Sequence, residues 1–264
     1  MTPSLIEYPI YLWQLLSGFR SNYETMFAKL RSDDTSDYLA HVKIPTILDL
    51  GNGRLRPQFT ILKQAGHCVY GIDLANQPTN SIKSSLYVVA RYLYNSKLSL
   101  HAATGKGGLL SGDVARLPLK REKFDLITSI AAFEHFLDVP AVISEMERVL
   151  KPRGVVWVLI HLFSCPSGGH NVTFTQFPLK KIPHSVDPWD HLRKRKLPFT
   201  VPLNEWRRDQ YLQAFAEKFE ILKHYCAFRE GAELLSSEIL AELSSYTADE
   251  LTSNSYVILA RKSH

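Results

Sequence analysis

From residue 44 to residue 162, short apolar runs alternate with stretches whose apolar residues recur every three or four positions. Residues 44–50 (IPTILDL) form a nearly continuous apolar run that ends at Asp49 and two glycines, the pattern of a strand buried on both faces. Residues 57–65 carry a helical pattern closed by Gly66, a usual helix stop. A second strand is expected at 67–72, ending at Asp73. A helix should follow at 81–95, with Ile82, Leu86, Val89 and Leu93 on one face. Strands are then expected at 108–111, 124–130 and 155–162, and a helix at 138–150. That helix is well signposted: Asp138 is placed to cap it, Pro140 sits in its first turn, and Val142, Met146, Val149 and Leu150 form its stripe. Strands and helices that alternate with short connections imply a doubly wound α/β sheet of mostly parallel strands, with helices on both faces.

The rhythm differs outside this core. Residues 4–30 predict one or two helices, with Tyr8, Tyr11, Leu12, Leu15, Leu16 and Phe19 at roughly helical spacing and a break at Gly18. They suit a lid or docking segment, or a helix that only covers the sheet. Residues 163–203 are rich in Pro and Gly, and an aperiodic stretch that long is usually functional. A helix at 204–218, an edge strand at 219–227, a helical stretch at 230–251 and a strand at 255–260 complete a seven-stranded, Rossmann-like fold. The expected division is an N-terminal helical extension at 1–40 and a single domain at 41–264, carrying the 163–203 insertion.

Composition narrows the class. The 264 residues are 45% hydrophobic and 22% charged, as in ordinary globular proteins. A net charge of +5 and a pI near 9.0 favour acidic partners but fall short of a dedicated nucleic-acid binder. Cys68, Cys165 and Cys226 are odd in number, widely spaced and without CxxC, which argues against a disulfide framework and for a reducing, cytoplasmic setting. The N-terminus lacks a basic n-region and a cleavage site, so no signal peptide is expected. No apolar stretch approaches the ~20 residues that span a bilayer.

The segment Ile47-Leu48-Asp49-Leu50-Gly51-Asn52-Gly53 joins a buried strand to a glycine turn and a helix N-terminus, a place where backbone can approach a ligand closely. Asp73 follows at the end of the second strand, where a carboxylate can accept both hydroxyls of a ribose. Asp113, before Val114, ends the third and suits an adenine. A nicotinamide dinucleotide fits poorly: it calls for GxGxxG, Arg56 stands at the third position, and Asp49 would repel a pyrophosphate. Together LDLGNG (48–53), GIDLA (71–75), GDVARLP (112–118), FDLITSIAAFEHF (124–136) and ERVLKPRGV (147–155) resemble, in order and spacing, the class I S-adenosylmethionine-dependent methyltransferases, type 11-like group. That resemblance covers roughly residues 44–162 and implies S-adenosyl-L-methionine as cofactor. By it, Asp49, Gly51, Asn52 and Gly53 contact the methionine part, Asp73 with Leu74 the ribose, and Asp113 with Val114 the adenine. Ser129, Ile130 and His135 line the cofactor from the fourth strand. The third glycine of the family loop is replaced by Leu55. Arg54 and Arg56 beside it could meet the cofactor carboxylate or face solvent.

Methyl transfer from a sulfonium needs alignment and, for a hydroxyl acceptor, a base. Of His135, His161, His170, His184 and His191, the candidates for that base are His161, closing the fifth strand, and His170, in the loop beside it. Hydrogen-bonded roles that merely shape the loop are the alternative. Glu134, His135, His161 and His170 are plausible ligand types, but no HxxxH or HxH spacing occurs, so no metal is expected. Lys180, Lys181, Arg193, Lys194, Arg195 and Lys196, with Phe177, Trp189 and Phe199, could make a basic aromatic cover for an aromatic or anionic substrate. Trp206, Tyr211 and Phe215 more often signify core. The favoured reading is O-methylation of a small natural-product or quinone-like molecule. Its rivals are a tRNA or protein methyltransferase docking through the basic insertion, and a non-catalytic cofactor-binding homologue. Nothing in the pattern excludes a homodimer.

Overall fold

The computed structural model describes residues 13, 16–76, 82–98, 105–171, 181–182, 186–199 and 201–262. Expectations for Tyr8, Tyr11, Leu12, Leu15, Phe177, Lys180 and His184 fall outside them. Helix α1 (Phe19–Leu39) precedes β1 (Thr46–Leu50), α2 (Pro57–Gln64), β2 (Cys68–Ile72), α3 (Ile82–Lys97), β3 (Gly107–Leu110) and β4 (Phe124–Ile130). Then come α4 (Val139–Val149), β5 (Leu150–His161), α5 (Arg208–Ala216), β6 (Phe219–Arg229), α6 (Ser237–Glu242), α7 (Ala248–Thr252) and β7 (Ser253–Lys262). The strands form one sheet in the order β3-β2-β1-β4-β5-β7-β6. β1 to β5 pair in parallel, and β7 enters antiparallel between β5 and the edge strand β6. The order reverses between β1 and β4, which opens a crevice at their carboxyl ends, where ligands bind in such sheets.

Both faces of the sheet centre are covered, which is why β1, β4 and the second half of β5 read as largely apolar runs. Leu48, Leu50, Ile127, Val156 and Val158 pack with Met146, Val142 and Phe215 on one side. Ile47, Leu126, Trp157 and Leu159 pack with Phe59, Phe27 and Leu30 on the other. Helix α4 is capped as expected, with the Ala141 N–H donating to Asp138 Oδ1 at 3.1 Å. Helix α1 runs to Leu39 and starts after Gly18, whose φ of 77° marks the expected break. Asp34 fastens it to the sheet, accepting from Trp157 Nε1 (2.9 Å), Tyr225 Oη (2.7 Å) and Lys223 Nζ (2.6 Å). These donors hold its carboxyl below the usual range despite burial.

Several expectations need correction. On α3, among the residues whose side chains are described, Val89 is exposed and Tyr94 is buried, its hydroxyl donating to Glu24 on α1; the expectation for Ile82 and Leu86 lies outside them. The stretch 230–251 is two short helices after a single 3₁₀ turn, interrupted by Gly231 (φ 72°) and re-started by the caps Ser236 and Thr247. The helix expected at 204–218 shortens to Arg208–Ala216, since Asn204 is drawn into clamping another turn. Among the described residues of the basic insertion, one aromatic turns inward. Trp189 is fully buried, its Nε1 donating to the Ser164 and Leu251 carbonyls. The charges pair within the fold: Arg193 with Glu242, Lys194 and Lys196 with Asp187, and Arg195 with Glu205. Trp206 and Tyr211 pack together as core, ring centroids 5.4 Å apart. No helix among the described residues is long and apolar enough to cross a membrane.

Candidate active site

The turn after β1 is shaped by what a side chain would hit. Gly51 has φ 68°, and a Cβ there would come within 2.5 Å of the Ala132 Cβ. Gly53, at φ 64°, is also left-handed. Both positions therefore demand glycine. The turn is knitted to the end of β2: Asp73 accepts from the Gly53 N–H (2.8 Å) and the Ala75 N–H (2.6 Å), and Asn76 donates to Asn52 Oδ1 (2.9 Å) and to the Leu110 carbonyl (2.9 Å). These bonds tie the ends of β1, β2 and β3 into one rim.

Beside that rim lies a cavity of about 550 Å³. Asp49, Gly51, Asn52, Gly53, Arg54 and Leu55 form one wall; Ile130, Ala131, Leu159, His161, Asn254 and Ser255 another; Phe19, Tyr23, Glu24, Phe27, Tyr87 and Tyr94 close it from α1 and α3. Of the expected cofactor residues, Asp49, Gly51, Asn52, Gly53 and Ile130 line this cavity. Asp73, Leu74, Asp113 and Val114 do not line it: they follow the ends of β2 and β3, with Asp73 bonded to the lining turn at Gly53 and Val114 packed in the core. Leu74 is largely exposed, and Asp113 accepts from the Ala115 N–H at 2.9 Å. Ser129 is buried with its hydroxyl donating to the Leu50 carbonyl at 2.9 Å, a bond across β1 and β4 rather than a wall contact.

Asp49 is the group through which the cavity can recognise charge. It is buried, and its Oδ2 has no hydrogen-bond partner. Burial pushes its carboxyl up to about 7, against the opposing pull of Arg31 and with a push from Glu24 and Asp73. Arg31 is itself buried, which lowers it to about 10. Its Nη1 donates to Gln58 Oε1 at 2.7 Å, and Gln58 Nε2 donates to Glu24 Oε2 at 2.7 Å. An unsatisfied buried carboxylate oxygen beside a bare backbone turn fits an ammonium. That is the chemistry of the methionine end of S-adenosylmethionine. Arg54 lines the same wall, its guanidinium 4.9 Å from the Tyr87 ring.

Three histidines converge beyond the end of β5. The His161 ring lies 5.0 Å from that of His170, which lies 4.8 Å from that of His135. His161 Nε2 meets Ser167 Oγ at 2.8 Å, and that hydroxyl also contacts Glu230. Burial lowers His161 well below the usual histidine range, takes His170 down to about 3 and lowers His135, so all three are neutral near pH 7. Of these, only His161 reaches the cavity wall. His135 is turned by a 3.0 Å bond from Nδ1 to the Pro202 carbonyl, and His170 sits at φ 52°. Beside them Glu134 is buried, with burial pushing its acid up to about 8.

Sequence reasoning missed Glu24, Gln58, Tyr94, Asn254 and Ser255. Asn254 and Ser255 open β7, which reaches this edge of the sheet only by returning antiparallel, so no local pattern announced them. Phe19, Tyr23 and Phe27, at four-residue intervals on α1, were the legible signal for a helix facing an aromatic cavity.

Residues 48–158 match the family model described as "Methyltransferase domain". The fold is shared with a proposed sarcosine dimethylglycine methyltransferase from Galdieria sulphuraria (17% identity, TM-score 0.54, 90% of this chain and 86% of that one). It is also shared with an S-adenosylmethionine dependent methyltransferase from Mesorhizobium loti (18% identity, TM-score 0.53, 87% of this chain and 96% of that one). At these identities the likeness is one of fold. No curated protein is significantly similar to the chain in sequence. The fold and the matched stretch define a class I methyltransferase. The matched stretch, residues 48–158 of the 264, is a methyltransferase domain of the type 11-like kind, and S-adenosyl-L-methionine is the cofactor such a domain takes.

Proposed function

We propose that the chain methylates an oxygen of a small organic molecule, with the acceptor held between the end of β5 and the aromatic face of α1. The observation that carries this reading is the make-up of the 550 Å³ cavity. A buried carboxylate and a glycine turn stand at one end, and Phe19, Tyr23, Tyr87, Tyr94 and a neutral His161 stand around the rest. Such a wall favours a small, apolar or aromatic acceptor. When bound, the cofactor supplies a sulfonium methyl group. Asp49 would hold its ammonium, Asp73 with Leu74 its ribose, and Asp113 with Val114 its adenine. Ile130 would pack along it; Ser129 and His135 would support that wall from behind.

His161 is the residue of choice for receiving the proton of an acceptor hydroxyl. It is uncharged, it lines the cavity, and Ser167 and Glu230 fix its ring from the far side. His170, behind it, orients that ring and has no place on the wall. Helix α1 acts as the cover, since Glu24 joins Gln58 and Tyr94 across the cavity mouth. The pairing of Arg193, Lys194, Arg195 and Lys196 with acids of the fold favours a small-molecule acceptor over nucleic-acid docking. A panel of phenols, catechols, carboxylates and amines, assayed for S-adenosylhomocysteine release, tests the proposal. Turnover confined to hydroxylated aromatics supports it; turnover confined to amines, or to RNA, overturns it.

A further inference from the structure

Glu134, His135 and His170 come from two strand ends that are distant in sequence, and one potential ligand atom from each lies within 4.8 Å of the others. Glu134 is 2% exposed. Neither carboxylate oxygen makes a hydrogen bond of ordinary geometry, although the peptide N–H groups of Glu134 and His161 lie near enough to temper its charge. A buried acid in that place keeps its own proton or exchanges it for a cation, and both oxygens are unengaged by any side chain that would compete for that cation. His135 is oriented as a ligand is: its Nδ1 meets the Pro202 carbonyl at 3.0 Å, so Nδ1 carries the proton and Nε2, 3.9 Å from Glu134 Oε1, presents a lone pair. That carbonyl contact from the far ring nitrogen is the usual support for a metal-bound imidazole. His170 is held at φ 52°, a conformation that costs a non-glycine residue energy and tends to persist where a site requires it.

We infer that Glu134, His135 and His170 form a binding site for one divalent transition-metal ion of the zinc type. Two imidazoles and one carboxylate are the protein ligands of open zinc centres, which keep a further position for water or substrate. Ligand atoms in such centres stand about 3.4 Å apart, so the widest pair here must draw in by about 1.4 Å, within the reach of side-chain rotation. The neighbouring cluster of His161, Cys165 and Glu230 is different, because Ser167 and Asn254 already hydrogen-bond into it. The ion would sit one ring behind the cavity wall, since His170 contacts His161 and His161 lines the cavity. The inference does not depend on which acceptor atom is methylated.

The test is a titration of the chelator-treated full chain with Co²⁺, followed by its absorption bands, and with Zn²⁺ in competition. One equivalent should bind. Glu134→Gln, which keeps side-chain volume, and His170→Ala should each weaken binding at least tenfold, while the exposed His41→Ala leaves it unchanged. Melting curves and S-adenosylhomocysteine affinity report whether each variant is folded, independently of activity. Failure of the unaltered chain to bind either ion at micromolar concentration overturns the inference. So does unchanged affinity in a folded Glu134→Gln, His170→Ala double variant.

Discussion

Lowering the pH from 7 to 6 perturbs one proton in the cofactor end of the cavity, and Asp49 is the group placed to feel it. Its carboxyl is buried, Oδ2 has no partner, and desolvation carries it to about 7 although Arg31 pulls the other way. An ammonium ligand is attracted by the ionised form. That form makes up about one half of the protein at pH 7 and about one eleventh at pH 6. Affinity for S-adenosylhomocysteine should therefore drop about fivefold over that unit of pH, a loss of about 1 kcal/mol. The ligand's own amino group, ionising near 8, stays charged throughout. Calorimetry in buffers of different ionisation enthalpy should show close to one proton released on binding at pH 6. In Asp49→Asn the profile should be flat and the binding weak. In Arg31→Met the midpoint should move to higher pH, because the opposing cation is gone. The reasoning is refuted by a wild-type affinity that is the same at pH 6 and 7 with no proton exchanged.

The same shift has a consequence for folding. Asp49 is raised in the fold above its unfolded value, so the neutral acid is favoured, and stability is lost as pH rises from about 4 to about 7. Without cofactor, Asp49→Asn should thus melt above the wild type at pH 8, the gap shrinking as pH falls towards 4. Gly51→Ala should abolish cofactor binding, since its Cβ meets Ala132 at 2.5 Å and φ is 68°; calorimetry checks it. Asp34→Ala should lower stability by about 1–3 kcal/mol in urea unfolding, because buried Trp157 Nε1 loses its acceptor and α1 its anchor. His161→Asn should cut kcat with a hydroxyl acceptor by about 10²-fold or more and leave S-adenosylhomocysteine affinity within about twofold.

The part of the site that was legible in the sequence is the part built within single strand-to-loop junctions. Asp49, Gly51 and Gly53 stand within five residues of chain, and the glycines are dictated by backbone geometry at their own positions. Asp73 announces itself similarly, as the first acid after an apolar run, and is tied to the same turn through the Gly53 N–H. The parallel strands β1, β2, β4 and β5 were legible for a related reason, being largely buried and hence mostly apolar. Where the pattern misled, a partner distant in sequence had changed the local choice. Val89 is exposed and Tyr94 buried because the Tyr94 hydroxyl answers to Glu24 on α1, and Trp189 went into the core because the Ser164 and Leu251 carbonyls were there to receive its N–H.

The histidines show why the catalytic end resists the same treatment. Spacing offers no metal motif among them, since such motifs are read along one helix or strand, whereas His161 follows His135 by 26 positions and His170 follows His161 by nine. The fold makes those intervals irrelevant. β4 and β5 are parallel neighbours with Ile130 opposite Leu159, so whatever follows one strand is delivered beside whatever follows the other. Glu134 and His135 leave β4 on a 3₁₀ turn that Asn204 clamps through the Phe133 and Phe136 carbonyls, and the loop after β5 doubles back at Gly168 and Gly169 to bring His170 against them. Gly169 has no room for a side chain, because a Cβ would strike the His191 ring at 2.5 Å. The convergence of imidazoles therefore depends on that close approach and on the clamp. Asn204→Leu should loosen both cation affinity and the His135 geometry while leaving the Asp49 end, on the other side of β4, with its pH profile intact.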